Sequence, residues 1–303
     1  MAQVLEQHAD YKVLRRLVPK ADYGPAPSDL TTGDAVRVLV LDTETTGLSH
    51  QVDKIIELAM LSVMVDTRSG LPFGPVEVFE GFEDPGMPIP AIAQQVTGIT
   101  DDMVQGQRLP DEAVAAMVAA ADLVVAHNAG FDRPFVEARF ADFRDKPWAC
   151  SFMDIDWKAA GADSAKLSAL ALDRGWFYDA HRAQVDCHAL LQVLCEPVGD
   201  SGLTGLSHLV AAARRPSFKL RATGAPFEAK DKLKARGYRW DGEARVWYCA
   251  LASEELLASE LAWLRAEVYG ARQTRLEVEA LDGLARYSAR PGEMRLEGLP
   301  PAP

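Results

Sequence analysis

Apolar residues along the chain change rhythm partway. From 36 to 82 they gather in dense, β-branched runs at 36–41, 55–66 and 75–82, which predict three strands, the second antiparallel to the first. Glu57 interrupts the second run and reads as an edge-facing surface acid in preference to a group near substrate. After Pro85, Pro88 and Pro90 the spacing turns helical near 91–95 and over 111–121, 133–140, 164–174 and 187–194, while 121–126 and 150–157 read as further strands. Strands in succession, then strands alternating with helices, predict an α/β fold with a mixed central sheet flanked by helices.

The flanks follow different patterns. Residues 4–17 carry an amphipathic helical spacing that stops before Pro19, with apolar positions expected to dock on the domain that follows. Residues 21–34 are rich in Pro, Gly, Ser and Thr and read as a linker, so 1–34 is set apart from a domain at 35–197. The turn formers of 197–202 mark the next boundary. Beyond it the pattern predicts a helix at 203–214, a strand at 218–222, a Lys-rich helix at 226–236 and a hairpin over 238–250 around Asp241-Gly242. A helix follows over 253–269, with Ser253 placed to cap it, and then a strand at 274–280. Together these predict a small α+β module at 198–290, and the Pro-rich end, 291–303, reads as a flexible tail.

Composition narrows the class. A chain of 303 residues is long enough for a sizeable core plus a second unit. No apolar run reaches membrane-spanning length, and the N-terminus lacks a basic start followed by an apolar core, so the expectation is a cytoplasmic protein with no membrane partner. Cys150, Cys187, Cys195 and Cys249 form no C-x-x-C pair, which points to reduced structural thiols. The net charge of -12 argues against tight, non-specific coating of duplex DNA. Charge is uneven, however: residues 214–247 hold ten basic against four acidic side chains, a local +6, interleaved with Trp240, Trp247 and Tyr248. Two readings stay open there. The tryptophans belong to a core beneath a solvated basic face, or Lys230, Lys234, Arg239, Trp240 and Trp247 contact nucleic acid by stacking and phosphate pairing.

The candidate chemistry sits at element ends. The run 36–41 closes on Asp42-Thr43-Glu44-Thr45-Thr46-Gly47-Leu48, and strand alternation projects Asp42 and Glu44 from one face, near enough to share a cation. A solvated strand end is the plain alternative for this heptapeptide alone. The second segment, His127-Asn128-Ala129-Gly130-Phe131-Asp132, puts a third acid at a strand-to-helix junction. There Asn128 either positions the sugar-phosphate or caps the loop, and Phe131 packs the segment against the core. The third, His181-Arg182-Ala183-Gln184-Val185-Asp186, sets a His in a loop and an Asp in the first turn of the next helix. Four acids and a His at element ends suit a phosphodiesterase with two metals, in which the carboxylates hold the ions and His181 takes a proton from the attacking water.

These three segments, DTETTG, HNAGFD and HRAQVD, resemble the exonuclease motifs of the DEDDh (DnaQ-like) family, and the likeness extends over about 35–197. The resemblance implies an RNase H-like exonuclease fold that removes mononucleotides from a 3′ end, with Asp42, Glu44, Asp132 and Asp186 holding two divalent ions, Mg²⁺ or Mn²⁺. It also implies that Glu44 helps orient the water. The terminal nucleotide would be received by Thr43, Thr45, Thr46, Gly47, Asn128 and Phe131, with Leu48 wedged beside its base. The partner implied is nucleic acid with a free 3′ end, single-stranded DNA first, in repair, replication proofreading or end trimming. Trimming of RNA, docking to a DNA polymerase or other repair protein, and self-association remain as alternatives. Segment 225–248, with its K-x-x-x-K-x-x-G-Y-x-W…W-Y pattern, resembles a small module that recurs beside nucleic-acid enzymes.

Overall fold

Burial explains how far each apolar run extends. In the computed structural model, which describes residues 2–301, α1 spans Ala2–Leu5, β1 Arg15–Arg16, β2 Ala35–Thr45, β3 Ile55–Asp66 and β4 Pro72–Phe82. There follow α2 (Ala91–Thr97), α3 (Asp101–Val104), α4 (Asp111–Ala120), β5 (Leu123–Ala126), α5 (Ala129–Arg139) and β6 (Trp148–Cys150). Next come α6 (Leu167–Asp173), β7 (Trp176–Phe177), α7 (Ala183–Leu194) and α8 (Gly205–Ala213). The main sheet has the order β4-β3-β2-β5-β6. Its first three strands pair antiparallel, whereas β5 runs parallel to β2 and β6 parallel to β5. Ile56, Leu58, Met60, Leu61 and Val63 are all fully buried, so β3 is apolar on both faces in the manner of an interior strand. The helix α7 packs across β2 and β3. The parallel pairing brings the C-terminal ends of β2 and β5 to the same edge, the usual place for ligands in such sheets.

Three expectations are corrected here. The helix expected at 4–17 is confined to α1, because the backbone around β1 pairs instead with β7: Arg15 N–H donates to Gly175 and Leu17 N–H to Phe177. A short isolated helix is marginal in water, and burial of Leu17 favours the extended form. Lys12, Arg15 and Arg16 form ion pairs with Asp173, Glu6 and Asp179. The linker at 21–34 is laid along the edge of β4, with hydrogen bonds joining Ala21 to Val76 and Tyr23 to Gly74. The strand expected at 150–157 ends at Cys150, whose N–H is taken by Asp154 Oδ2 at 2.8 Å as the chain turns.

The chain divides into two compact units between Ala212 and Ala213. The second unit contains β8 (Ser217–Arg221), α9 (Lys230–Ala235), β9 (Arg239–Asp241), β10 (Val246–Leu251), α10 (Glu254–Leu264), β11 (Arg275–Leu281) and β12 (Glu293–Gly298). Its sheet is antiparallel throughout, in the order β12-β11-β8-β10-β9. Phe218, Leu220, Leu233, Leu257, Leu264 and Val278 form its core. Ser253 caps α10 as expected, its Oγ accepting from Leu256 N–H. The flexible tail expected from 291 is a further correction: β12 pairs with β11 over six residue pairs, and Arg265 donates to the carbonyls of Leu299 and Pro300. Prolines on both sides of a six-residue polar strand had masked its alternation.

Candidate active site

The end of β2 supplies the first two acids and fixes the third segment's neighbour. Asp42 and Glu44 share a face of the strand. Thr43, between them, joins the first two motifs: its N–H and its hydroxyl both donate to Asp132 Oδ1, at 3.1 and 2.8 Å. Asp132 lies in the first turn of α5 and is only 2% exposed. The helix α5 starts at Ala129, four residues before the 133 that the sequence suggested, so Asp132 sits inside it instead of at its junction.

The first turn of α7 brings Asp186 to the same place, and oxygens of Asp42, Glu44 and Asp186 lie within 4.8 Å of one another. Asp132 stands outside that cluster, its Oδ1 engaged by Thr43, although its charge is still felt at Asp42. Asp186 is held from two sides. The Tyr178 hydroxyl donates to Oδ1 at 3.0 Å, and the backbone N–H of His181 donates to Oδ2 at 2.8 Å. His181 adopts a left-handed backbone, φ 69, which is uncommon for a residue with a Cβ. Its five-residue spacing from Asp186 thus closes a small loop on the carboxylate, with His181 itself exposed.

Glu57 overturns the expectation of a surface acid. It is 0% exposed and sits directly across the ladder from Glu44. Its Oε1 accepts from Arg182 at 3.0 and 3.2 Å, and its Oε2 accepts the N–H of Ala183, the first residue of α7, at 3.1 Å. A carboxylate at the free N–H groups of a helix start is favourable. Here it anchors the very turn that carries Asp186. An acid interrupting an otherwise apolar, doubly buried run was the signal available in the sequence; Tyr178 had no comparable one.

The loop after β2 is held by its own side chains. Thr45 hydroxyl donates to the Gly47 carbonyl at 2.6 Å, and Thr46 hydroxyl donates to Asp53 Oδ1 at 3.2 Å. A Cβ on Gly47 would lie 2.6 Å from the Asp53 carboxyl, so that position admits only glycine without a shift of Asp53. Leu48 projects from this loop 87% exposed, free to touch a ligand. Asn128 takes the left-handed position that starts α5, with φ 71 and its carbonyl accepting from Phe131 N–H, while its side chain makes no capping hydrogen bond. The Phe131 ring packs against that of Phe135, centroids 5.1 Å apart and planes tilted by 48°, as expected of a packing residue. His127 Nδ1 lies 2.7 Å from Ser151 Oγ, and burial pushes its pKa down to about 4, so it is neutral. Of the five candidates in the second unit, Lys230, Trp240 and Trp247 line one cavity; Lys234 and Arg239 are exposed elsewhere on that unit.

Electrostatics single out the acid cluster. Burial, then the charges of Asp132, Asp186 and Glu44, hold Asp42 well above the usual carboxylate range. Burial followed by Asp186 and Glu57 pushes Glu44 up to about 8. Burial lifts Asp132 to about 7 against the opposing hydrogen bonds from Thr43, and it raises Asp186 against those from Tyr178 and His181. Two ionised carboxylates this close repel by about 3 kcal/mol at an effective dielectric of about 20. Protons or a cation must relieve that repulsion. A set made only of carboxylate oxygens fits a hard divalent ion such as Mg²⁺ or Mn²⁺ and disfavours softer, thiolate-seeking metals.

Known proteins share this arrangement of sequence. The exonuclease family typified by RNase T matches residues 39–194, just over half of the chain. A PolC-type DNA polymerase III from Listeria welshimeri is 41% identical over 103 residues, which cover 33% of this chain and 7% of the polymerase. The corresponding polymerase of Thermotoga maritima is 29% identical over 199 residues, 60% of this chain and 13% of its own length. The chain therefore spans a small fraction of these relatives. Among solved structures, exonuclease X in complex with 5′-overhanging duplex DNA is 24% identical, with a TM-score of 0.42 and coverage of 57% of this chain and 98% of that one. Exonuclease I of E. coli in complex with a dA16 oligonucleotide is 17% identical, with a TM-score of 0.41 and coverage of 61% and 48%.

Proposed function

This chain belongs to the RNase T exonuclease family, and we propose that it is a metal-dependent 3′-to-5′ exonuclease that releases nucleoside monophosphates from DNA. The observation that carries the reading is the convergence of Asp42, Glu44 and Asp186 beside a loop that Asp186 itself closes at His181. Asp42, Glu44 and Asp186 would hold divalent metal, with Asp132 adding the oxygen that Thr43 leaves free. When bound, such ions polarise the phosphoryl oxygens and offset the charge that develops on the attacking and leaving oxygens.

The chain's own residues do the rest. Exposed in the loop next to Asp186, His181 is placed to take a proton from water as that water attacks the terminal phosphodiester. Breaking the bond from phosphorus to the 3′ oxygen then leaves a new 3′ hydroxyl on the shortened strand and a free nucleoside 5′-monophosphate. Exposed Leu48 lies against the last base, and the loop of 43–48, stiffened by Thr45, Thr46 and Asp53, receives the terminal nucleotide. DNA is preferred to RNA in this reading because the similar sequences belong to DNA polymerases. Their polymerase activity is not carried over, since this chain spans 13% or less of their length.

The test is digestion of matched 5′-labelled single strands of DNA and RNA with Mg²⁺, with Mn²⁺ and with EDTA, alongside Asp186→Asn. A metal-dependent ladder shortening from the 3′ end, absent in the variant, is the expected result, with DNA the faster substrate. Equal cleavage by Asp186→Asn would remove the site, and faster cleavage of RNA would reverse the preference.

A further inference from the structure

The second unit carries an open cavity of about 540 Å³ at the free edge of its sheet. Its floor is Trp247 on β10, whose ring packs partly on the unit's core, and Trp240 on the edge strand β9 stands directly opposite in register. The two rings meet edge to face at 5.5 Å. The far wall is Phe227, in the short turn before α9. Both Phe227 and Trp240 are large apolar side chains left mainly in solvent, 76% and 52% exposed. Neither is needed to fill the core, so burial does not account for them.

The charges around the cavity are as informative as the rings. Arg221, Lys232 and Arg236 are committed to ion pairs with Glu279, Glu267 and Glu260. Among the described residues, Lys230 and Arg245, which line the cavity, form no ion pair; Lys230 Nζ rests 4.5 Å over the Phe227 ring. Arg239 faces away, because it alternates with Trp240 along β9. The cavity therefore offers exposed aromatic side chains flanked by two cations that, among the described residues, form no ion pair. An apolar peptide would leave both cations unmatched, whereas an alternation of flat rings and phosphates matches both features.

We propose that this cavity binds single-stranded nucleic acid, with bases stacked on Phe227 and Trp240 and with Lys230 and Arg245 on the adjoining phosphates. It is a binding site on the second unit, separate from the acid cluster. It rests on the exonuclease reading only in taking the strand to be that enzyme's substrate.

Binding is measured with the full chain carrying Asp186→Asn, so that cleavage does not obscure affinity, using fluorescein-labelled oligothymidylate, oligouridylate and a DNA duplex. We expect Trp240→Ala and Phe227→Ala each to weaken single-strand binding by about tenfold, the value of one stacked base, and Trp240→Phe to restore most of it. Lys230→Gln with Arg245→Gln should flatten the dependence of log Kd on log salt by about 1.4, as expected for two lost phosphate contacts on a single strand. Quenching of tryptophan fluorescence on binding, lost in Trp240→Phe, would place the base on that ring. A comparison of thymidylate with uridylate identifies the natural strand. Unchanged affinity and salt slope in both the aromatic and the charge variants overturn the proposal, as does equal affinity for duplex. If an aromatic variant fails to fold, the charge pair alone decides. Binding that depends on Trp240 in a protein that hydrolyses nothing would leave this site standing and remove the exonuclease reading; hydrolysis with variant-independent binding would do the reverse.

Discussion

Glu57 is the residue on which the acid cluster mechanically depends, although it touches none of the three clustered carboxylates by hydrogen bond. Facing Glu44 across the ladder, it places like charges opposite each other, an arrangement that destabilises a sheet unless it is compensated. Arg182 and the first N–H of α7 compensate it, so the same contacts that make Glu57 tolerable also set where Asp186 lies. Glu57→Ala leaves the Ala183 N–H without its acceptor, whereas Arg182, 39% exposed, keeps Glu80, so the cost in urea unfolding should be about 1–3 kcal/mol, and smaller for Glu57→Gln, which can still accept from Ala183. Both should weaken Mn²⁺ binding, by about ten- to a hundredfold for the alanine variant, in the way outer supports of metal ligands do. A Glu57→Ala protein with wild-type Mn²⁺ affinity would show that α7 holds its place without it. His181 stands in contrast. Its side chain supports no hydrogen bond that positions the acids, so His181→Ala should lower hydrolysis by about 10²–10⁴-fold while calorimetric Mn²⁺ binding stays near wild type.

At the scale of elements, three ends converge, and the convergence has a proton cost. Glu44 titrates at about 8 against an ordinary 4.5, Asp132 at about 7 against 3.8, and Asp42 and Asp186 are also raised. Between those ordinary values and the raised ones the folded protein holds protons that the unfolded chain has released, so stability falls as pH rises through that window. With EDTA present, Tm should therefore decline from about pH 5 to about pH 8, and the decline should be smaller in Glu44→Gln. Metal favours the ionised acids, so Mn²⁺ should raise Tm more at the upper pH and should release protons on binding, which calorimetry in buffers of different ionisation enthalpy detects. A flat Tm in EDTA would contradict the burial that raises these acids.

The same elements show what the sequence could disclose. Strands β2 and β3 were legible because their apolar runs are long and fully buried, and the acids because each follows such a run or opens a periodic helix. Less legible were features decided by tertiary contact: the extended pairing of β1 with β7, the burial of Glu57, and Asp53 filling the space beside Gly47. Only Glu57 leaves a local trace, as an acid inside an apolar run, and that trace does not name its partner; each of the three depends on a residue or strand met only after folding.

Across the whole molecule, chemistry and strand binding fall on different units. The first holds every acid of the cluster together with Tyr178 and His181, over a core built from β2, β3, β5 and α7. The second has its own core and its own capped helix, and its last strand is stitched in by six pairs to β11. Each therefore buries enough apolar surface around one centre to fold alone, as compact domains of this size do. Fragment 1–213 should melt in a single cooperative transition and, with Mg²⁺ or Mn²⁺ and saturating single-stranded DNA, keep a kcat within about twofold of the full chain, because no group assigned to the chemistry is removed. Its KM should rise, and more steeply at higher salt, because the two cavity cations and the stacking rings are gone. Fragment 214–303 should fold and bind oligothymidylate without cleaving it. Lost kcat in a folded fragment 1–213 would mean that the second unit takes part in hydrolysis itself, and an unchanged KM would confine strand binding to the nuclease unit.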